Sequence, residues 1–175
     1  GIMVPIPKGD LGRNNVLAED FRGIFINPIL SKLFEMCLLE LFGKYLFSSN
    51  MQLGFKRKSS CSHAIYIARK TIEFFIERQS TVNVCALDLA KAFDKKNRHA
   101  LFIKLLQRKC PLVLINILEC WFSTIFTCVK WGDKRSSFDA LLCGIRQGCV
   151  ASPTLFAVYI NDVLIKLQSQ ALLTT

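Results

Sequence analysis

The sequence predicts an α+β domain: a small antiparallel sheet with helices packed against it. Three observations lead there. Apolar residues recur at helical spacing in five stretches, near 28–46, 60–79, 98–108, 112–123 and 152–167. Short β-branched and apolar runs, Val82 to Leu87 and Phe126 to Trp131, read as strands, and residues 128–143 read as a hairpin. With 175 residues, 51% of them hydrophobic, the chain can bury one real core, and neither a repeat nor a linker divides it.

Residues 2–8, Ile-Met-Val-Pro-Ile-Pro-Lys, read as an extended edge strand, because Pro5 and Pro7 remove ladder donors and argue against a central position. A turn-rich loop from Gly9 to Asn15 leads to Phe21-Arg22-Gly23-Ile24. Asn27-Pro28 opens a helix to about Leu46, with Ile29, Leu30, Leu33, Phe34, Cys37, Leu38 and Leu41 as its core face. In Gln52 to Lys58, Gly54 and Phe55 adjoin Lys56, Arg57 and Lys58, which suits a nucleic-acid backbone or an ordinary solvated loop. Ser59 or Ser60 caps the next helix, whose apolar face is Ala64, Ile65, Ile67, Ala68, Thr71, Ile72, Phe75 and Ile76, with His63 structural.

Val82 to Leu87 is expected to be a short buried strand that ends in a carboxylate, Asp88. An acid there needs a partner; it either binds a divalent cation, which favours carboxylate oxygens, or starts a turn or caps a helix. The segment that follows is the most basic of the chain, with Lys91, Lys95, Lys96, Arg98, Lys104, Arg108 and Lys109 against Asp94 alone. Its helix hides Leu101, Phe102 and Leu105 and turns Lys104 and Arg108 outward, with His99 capping or packing. Pro153 is tolerated in the first turn of the last helix, whose face is Phe156, Tyr159, Ile160, Val163, Leu164 and Leu167. Gln168 to Thr175 reads as a polar tail.

The formal net charge of +10 favours a polyanion, either nucleic acid or an anionic membrane. The eight cysteines form no C-x-x-C pair, and neither histidine adjoins a cysteine cluster, which argues against zinc. With no secretory signal at its start, the chain reads as an intracellular protein, nuclear or cytoplasmic. Pro111 to Val129 is apolar enough to suggest a membrane span, but it carries Asn116 and Glu119 near its middle. A mid-span charge costs about 2.5–3.5 kcal/mol, so a helix followed by a strand is the better reading.

Leu87-Asp88-Leu89-Ala90-Lys91-Ala92-Phe93-Asp94 resembles the first catalytic motif of reverse transcriptases of LINE-type (non-LTR) retrotransposons. Gly144-Ile145-Arg146-Gln147-Gly148-Cys149-Val150-Ala151-Ser152-Pro153-Thr154-Leu155-Phe156 looks like the family's next block, and the order and spacing of the two make the signal specific. The resemblance runs from Val4 to about Leu167. It implies fingers over residues 1–80, a partial palm over 81–170 and a tail over 171–175. It further implies an RNA template, a DNA primer and deoxynucleoside triphosphates as partners, and two Mg²⁺ ions that stabilise the attacking and leaving oxygens of nucleotidyl transfer.

By the same resemblance, Asp88 and the backbone carbonyl of Leu89 are metal ligands, and Phe93 packs under the sugar and excludes a 2′-hydroxyl. Lys8 and Arg22 meet the triphosphate, Gln147 and Gly148 line the nucleotide pocket, and Lys56, Arg57 and Lys58 lie near the template path. Arg146 takes no role, and Asp94 is structural. Gly23 replaces a usual proline, Lys96 an apolar residue, and Cys149 and Ala151 stand where Gly and Leu are common. The sequence contains no Asp-Asp pair, whereas the family's following motif supplies its other metal carboxylates through one. The expectation is therefore a truncated polymerase domain that is inactive alone and leaves apolar surface uncovered. The alternative is a non-enzymatic nucleic-acid-binding or interaction domain derived from one.

Overall fold

In a computed structural model, residues 1–9, 16–56, 58–87, 97–141, 144 and 146–171 are described. The sheet is built on the N-terminal segment. Strand β1 (Ile2–Pro7) pairs antiparallel along its whole length with β2 (Phe21–Ile26), Ile2 opposite Ile26 and Pro7 opposite Phe21. On its other side β1 runs parallel to β3 (Phe126–Trp131), through Ile2–Cys128 and Met3–Val129. β3 pairs antiparallel with β4 (Lys134–Arg135) and with β5 (Asp139–Ala140).

The sheet is therefore mixed rather than purely antiparallel, and β1 is an interior strand rather than an edge. The prolines are accommodated because the parallel pairing stops at Met3. Pro5 and Pro7 share the parity of Met3, so they face the β3 side beyond the end of that pairing, where no ladder donor is needed.

Five helices complete the described architecture: α1 (Ile29–Phe42), α2 (Cys61–Ile76), α3 (Arg98–Gln107), α4 (Leu112–Ser123) and α5 (Ser152–Ala171). The core lies where α3, α4 and the first half of α5 meet. Leu101 and Leu105, Leu114, Ile115, Leu118 and Phe122, and Leu155 and Val158 are all buried there, joined by Leu38, Leu46 and Ile125. Asn97 caps α3, its Oδ1 accepting from the amides of His99 and Ala100 at 2.9 and 3.3 Å. His99 itself neither caps nor packs; its side chain is exposed. Gln168 to Ala171 continue α5 instead of forming a tail.

Two helices depart from their expected faces. In α1 the buried residues are Glu35 and Leu38, flanked by partly buried Leu39 and Phe42. Those positions form one i, i+3, i+4, i+7 stripe. Ile29, Leu30, Leu33 and Leu41 are instead exposed, at 81, 74, 57 and 70%. α2 buries no residue at all, and Ile65, Ile67, Phe75 and Ile76 face outward. His63 has the structural place expected of it, its Nδ1 accepting from the Ser60 amide at 3.2 Å.

Residues 82–87 form no strand and are not buried, with Val84 and Leu87 largely exposed. A strand needs a neighbour for its amides and carbonyls, and the described sheet offers none to this segment.

Candidate functional site

The outer edge of β2 is closed by the loop that precedes α5. The Phe25 amide donates to the Gln147 carbonyl at 2.8 Å. Gly148 follows with φ +110°, and a Cβ there would stand 2.6 Å from the Phe25 carbonyl oxygen. Only glycine permits that conformation and that approach. The close approach seen at Gly148 is to the backbone of the protein's own strand β2.

Behind this contact lies a buried polar cluster. Arg146 donates from one terminal nitrogen to Asn27 Oδ1 at 3.1 Å, and its other terminal nitrogen lies 3.6 Å from Glu35 Oε1. Glu35 Oε2 accepts from the Ala151 amide at 2.9 Å, which ties α1 to the start of α5. Asn27 Nδ2 donates to Cys149 Sγ at 2.7 Å. Arg146 and Glu35 are only 8 and 3% exposed, so the pair is poorly screened. A gross attraction of about 4 kcal/mol applies near this distance at an effective dielectric of 20, against which both groups lose their hydration. Burial pushes the Cys149 thiol up, against the opposing pull of Arg146. A cavity of about 20 Å³ between these groups and Trp121 has room for little more than one water.

Sequence reasoning left Arg146 without a role and placed Glu35 in no site. Their opposite charges within otherwise apolar or glycine-containing stretches were the available signal.

Lys8 and Arg22 come together at one end of the β1–β2 ladder, where Arg22 lies opposite Ile6 and Lys8 follows the strand. Arg22 is exposed. Lys8 Nζ donates to the Glu19 carbonyl at 2.7 Å, and its amide donates to the Asp20 carbonyl. Since Gln147 docks on the same β2 strand, Lys8, Arg22, Gln147 and Gly148 share one framework.

Lys56 turns inward to Asn50 Oδ1 at 2.9 Å and to the Ser49 carbonyl, at one wall of an open cleft of about 430 Å³. Phe47 and Phe55 also line that cleft, and Phe55 meets Phe156 edge to face, the ring centroids 5.4 Å apart. Lys58 is exposed with φ +64°. Arg57 lies outside the described residues, as do Asp88, Leu89 and Phe93.

The first residue of α3 is anchored to the chain that leads into the Gln147 loop. Arg98 donates to the carbonyls of Gly144, Phe122 and Leu141 at 3.1, 2.9 and 2.7 Å. Lys104, expected to point outward, instead folds onto α5, where it donates to the Tyr159 carbonyl and pairs with Asp162 at 3.0 Å. Arg108 likewise donates to the Phe47 carbonyl. Helix α3 therefore spends its basic side chains on the protein itself.

Among the described residues no three His, Cys, Asp or Glu side chains are grouped to hold a metal ion. No described helix is long and apolar enough to cross a membrane.

Residues 6–174 match the family described as reverse transcriptase (RNA-dependent DNA polymerase). The chain is also similar to the RNA-directed DNA polymerase from mobile element jockey of Drosophila funebris, 23% identical over 159 residues. That match covers 87% of this chain and 17% of the relative's length.

Proposed function

Because this chain belongs to the reverse transcriptase family, of the LINE-type (non-LTR) kind, we propose that it carries the nucleotide-binding framework of an RNA-directed DNA polymerase. The observation that carries this reading is the docking of Gln147 and Gly148 on β2, the strand that also bears Arg22. In this reading Arg22 offers a forked guanidinium and Lys8 a point charge to the triphosphate. Lys8 exchanges the Glu19 carbonyl for a phosphate oxygen when it does so. Gln147 hydrogen-bonds to the nucleotide, and Gly148 keeps the loop against the strand.

Asp88 and the Leu89 carbonyl would hold Mg²⁺, which when bound stabilises charge on the attacking and leaving oxygens. Phe93 packs under the deoxyribose. Residues 1–80 serve as fingers and 81–170 as part of a palm, with the RNA template and DNA primer passing Lys56, Arg57 and Lys58. With no Asp-Asp pair in its sequence, this chain does not extend a primer by itself.

Two measurements test the proposal. Titration with a deoxynucleoside triphosphate should show binding that weakens in Gln147→Ala and in Arg22→Ala; equal binding by all three proteins would refute the pocket. Primer extension by the purified chain should give no product, and a product that disappears in Asp88→Ala would overturn the inactivity.

The net charge of +10 and the Phe47–Phe55–Lys56 cleft favour a second reading, a nucleic-acid-binding module without catalysis. It requires steeply salt-dependent binding to an RNA–DNA duplex, unaffected by Mg²⁺ or by Asp88→Ala.

A further inference from the structure

We infer that the buried Glu35–Arg146 pair is a positioning device that holds Gln147 against β2. The inference deepens the proposed function and rests on Gln147 being a nucleotide-pocket residue. Gln147 sits between two fixed points. On one side is Arg146, whose guanidinium is held by Asn27 Oδ1 and faces Glu35. On the other is Gly148, pressed on the Phe25 backbone.

A single carboxylate reaches both ends of the loop. Glu35 Oε1 faces Arg146, while Oε2 accepts from Ala151, where the loop turns into α5. Asn27, just before α1, holds the middle by accepting from Arg146 and donating to Cys149. The ring of Trp121 lies beneath the guanidinium, 5.9 Å from centroid to Cζ.

The geometry assigns this cluster to positioning rather than to stability. The Arg146–Glu35 separation of 3.6 Å is too long for a good hydrogen bond, and Glu35 Oε1 has no hydrogen-bond partner. An apolar pair of similar volume would do as well or better for stability. What apolar side chains cannot supply is direction: they would leave the Ala151 amide and Asn27 without the partners that fix where the loop lies. With the loop released, Gln147 loses the register that its carbonyl shares with Phe25.

The test uses the full chain and the double variant Glu35→Met/Arg146→Met, read by residue-resolved hydrogen exchange. The Phe25 amide points outward to Gln147, whereas the amides of Ile24 and Ile26 face β1 in the same strand and serve as internal controls. In a double variant that still melts cooperatively, Phe25 should exchange about tenfold faster or more while Ile24 and Ile26 are unchanged. Unchanged Phe25 protection in a folded variant would overturn the inference. Should the double variant not fold, Arg146→Met is the second comparison: it removes the side chain that holds the loop beside Gln147 to Asn27 while Glu35 still accepts from Ala151, and unchanged Phe25 protection in it would overturn the inference equally.

Binding of dATP separates the two claims. If Gln147→Ala binds like the parent, the nucleotide reading fails, and the clamp stands or falls on Phe25 alone. If Gln147→Ala weakens binding and the folded clamp variants do not, the positioning role fails while the nucleotide reading survives.

Discussion

Gly148→Ala should loosen the joint between the Gln147 loop and β2. The substitution does two things at once. It forces a side chain into φ +110°, and it puts a Cβ 2.6 Å from the Phe25 carbonyl oxygen and 3.4 Å from its nitrogen. Backbone strain of this kind costs about 1–3 kcal/mol. Relief of the clash requires the loop to move off the strand, which breaks the Phe25–Gln147 hydrogen bond at a further net cost of about 0.5–1.5 kcal/mol. The sum is about 1.5–4.5 kcal/mol.

Two controls separate the contributions. Gly132 has φ +57° with nothing within 4 Å of an added Cβ, so Gly132→Ala carries strain alone, about 1–2 kcal/mol. Gly54 has open space and no positive φ, so Gly54→Ala should stay within about 0.5 kcal/mol of the parent. Urea denaturation followed by tryptophan fluorescence measures all three. With a urea slope of about 1–3 kcal/mol/M, the Gly148 variant should unfold earlier by about 0.5 M or more. A Gly148→Ala midpoint no lower than that of Gly132→Ala would show that the approach to Phe25 is not a constraint, and the account of the loop would fall with it.

The narrower buried stripe of α1 gives a second comparison: Leu38→Ala should cost about 2–5 kcal/mol, whereas Leu30→Ser, at an exposed position, should change stability by about 0.5 kcal/mol or less. The order is read from the same urea transitions, and equal losses would restore the face expected from spacing. Asn97→Ala removes the acceptor for two α3 amides and should cost about 1 kcal/mol, recovered in large part by Asn97→Ser; a neutral Asn97→Ala would remove the cap from the account of α3. Iodoacetamide followed by peptide mapping should modify exposed Cys37, Cys61, Cys85 and Cys120 first. Cys149 should react only after unfolding, because it is buried and its thiol is pushed up, away from the reactive thiolate; rapid labelling of native Cys149 would contradict the closed cluster.

The part of the fold that was legible in the sequence is the part in which one element has one apolar side. Leu101 and Leu105 in α3, and Leu114, Leu118 and Phe122 in α4, stand at helical spacing and are buried. Helix α1 carries apolar residues almost all round, so spacing placed Leu30 and Leu33 on one face with Leu38, and only Leu38 of the three is buried. A long-range contact chose, through Glu35 and the Ala151 amide. The same holds for the strands. The prolines of β1 were read as a rule about the whole strand, but its second neighbour pairs only with Ile2 and Met3. Val82 to Leu87 has the composition of a buried strand but no ladder partner in the described sheet.

For the site, sequence patterns found Lys8, Arg22, Gln147 and Gly148 as members of blocks, while their joining through Phe25 is a property of the folded backbone. Asp88, Leu89, Phe93 and Arg57 lie outside the described residues. Glu35 and Arg146 are separated by most of the chain, and no local pattern connects a pair whose meaning is its proximity.

The two prolines of β1 also bear on how this chain meets copies of itself. Past Met3, the side of β1 that faces β3 has no strand partner among the described residues, and an unpaired ladder edge invites another chain to add a strand. Pro5 and Pro7 stand there in place of amide donors. An incoming strand would find carbonyls to bond with and no N–H to answer its own, so sheet extension stops after a single hydrogen-bonded step. In a protein whose helices leave so much leucine and isoleucine in contact with water, self-association through the helices remains open, but the route that leads to fibrils is blocked at this edge by two pyrrolidine rings.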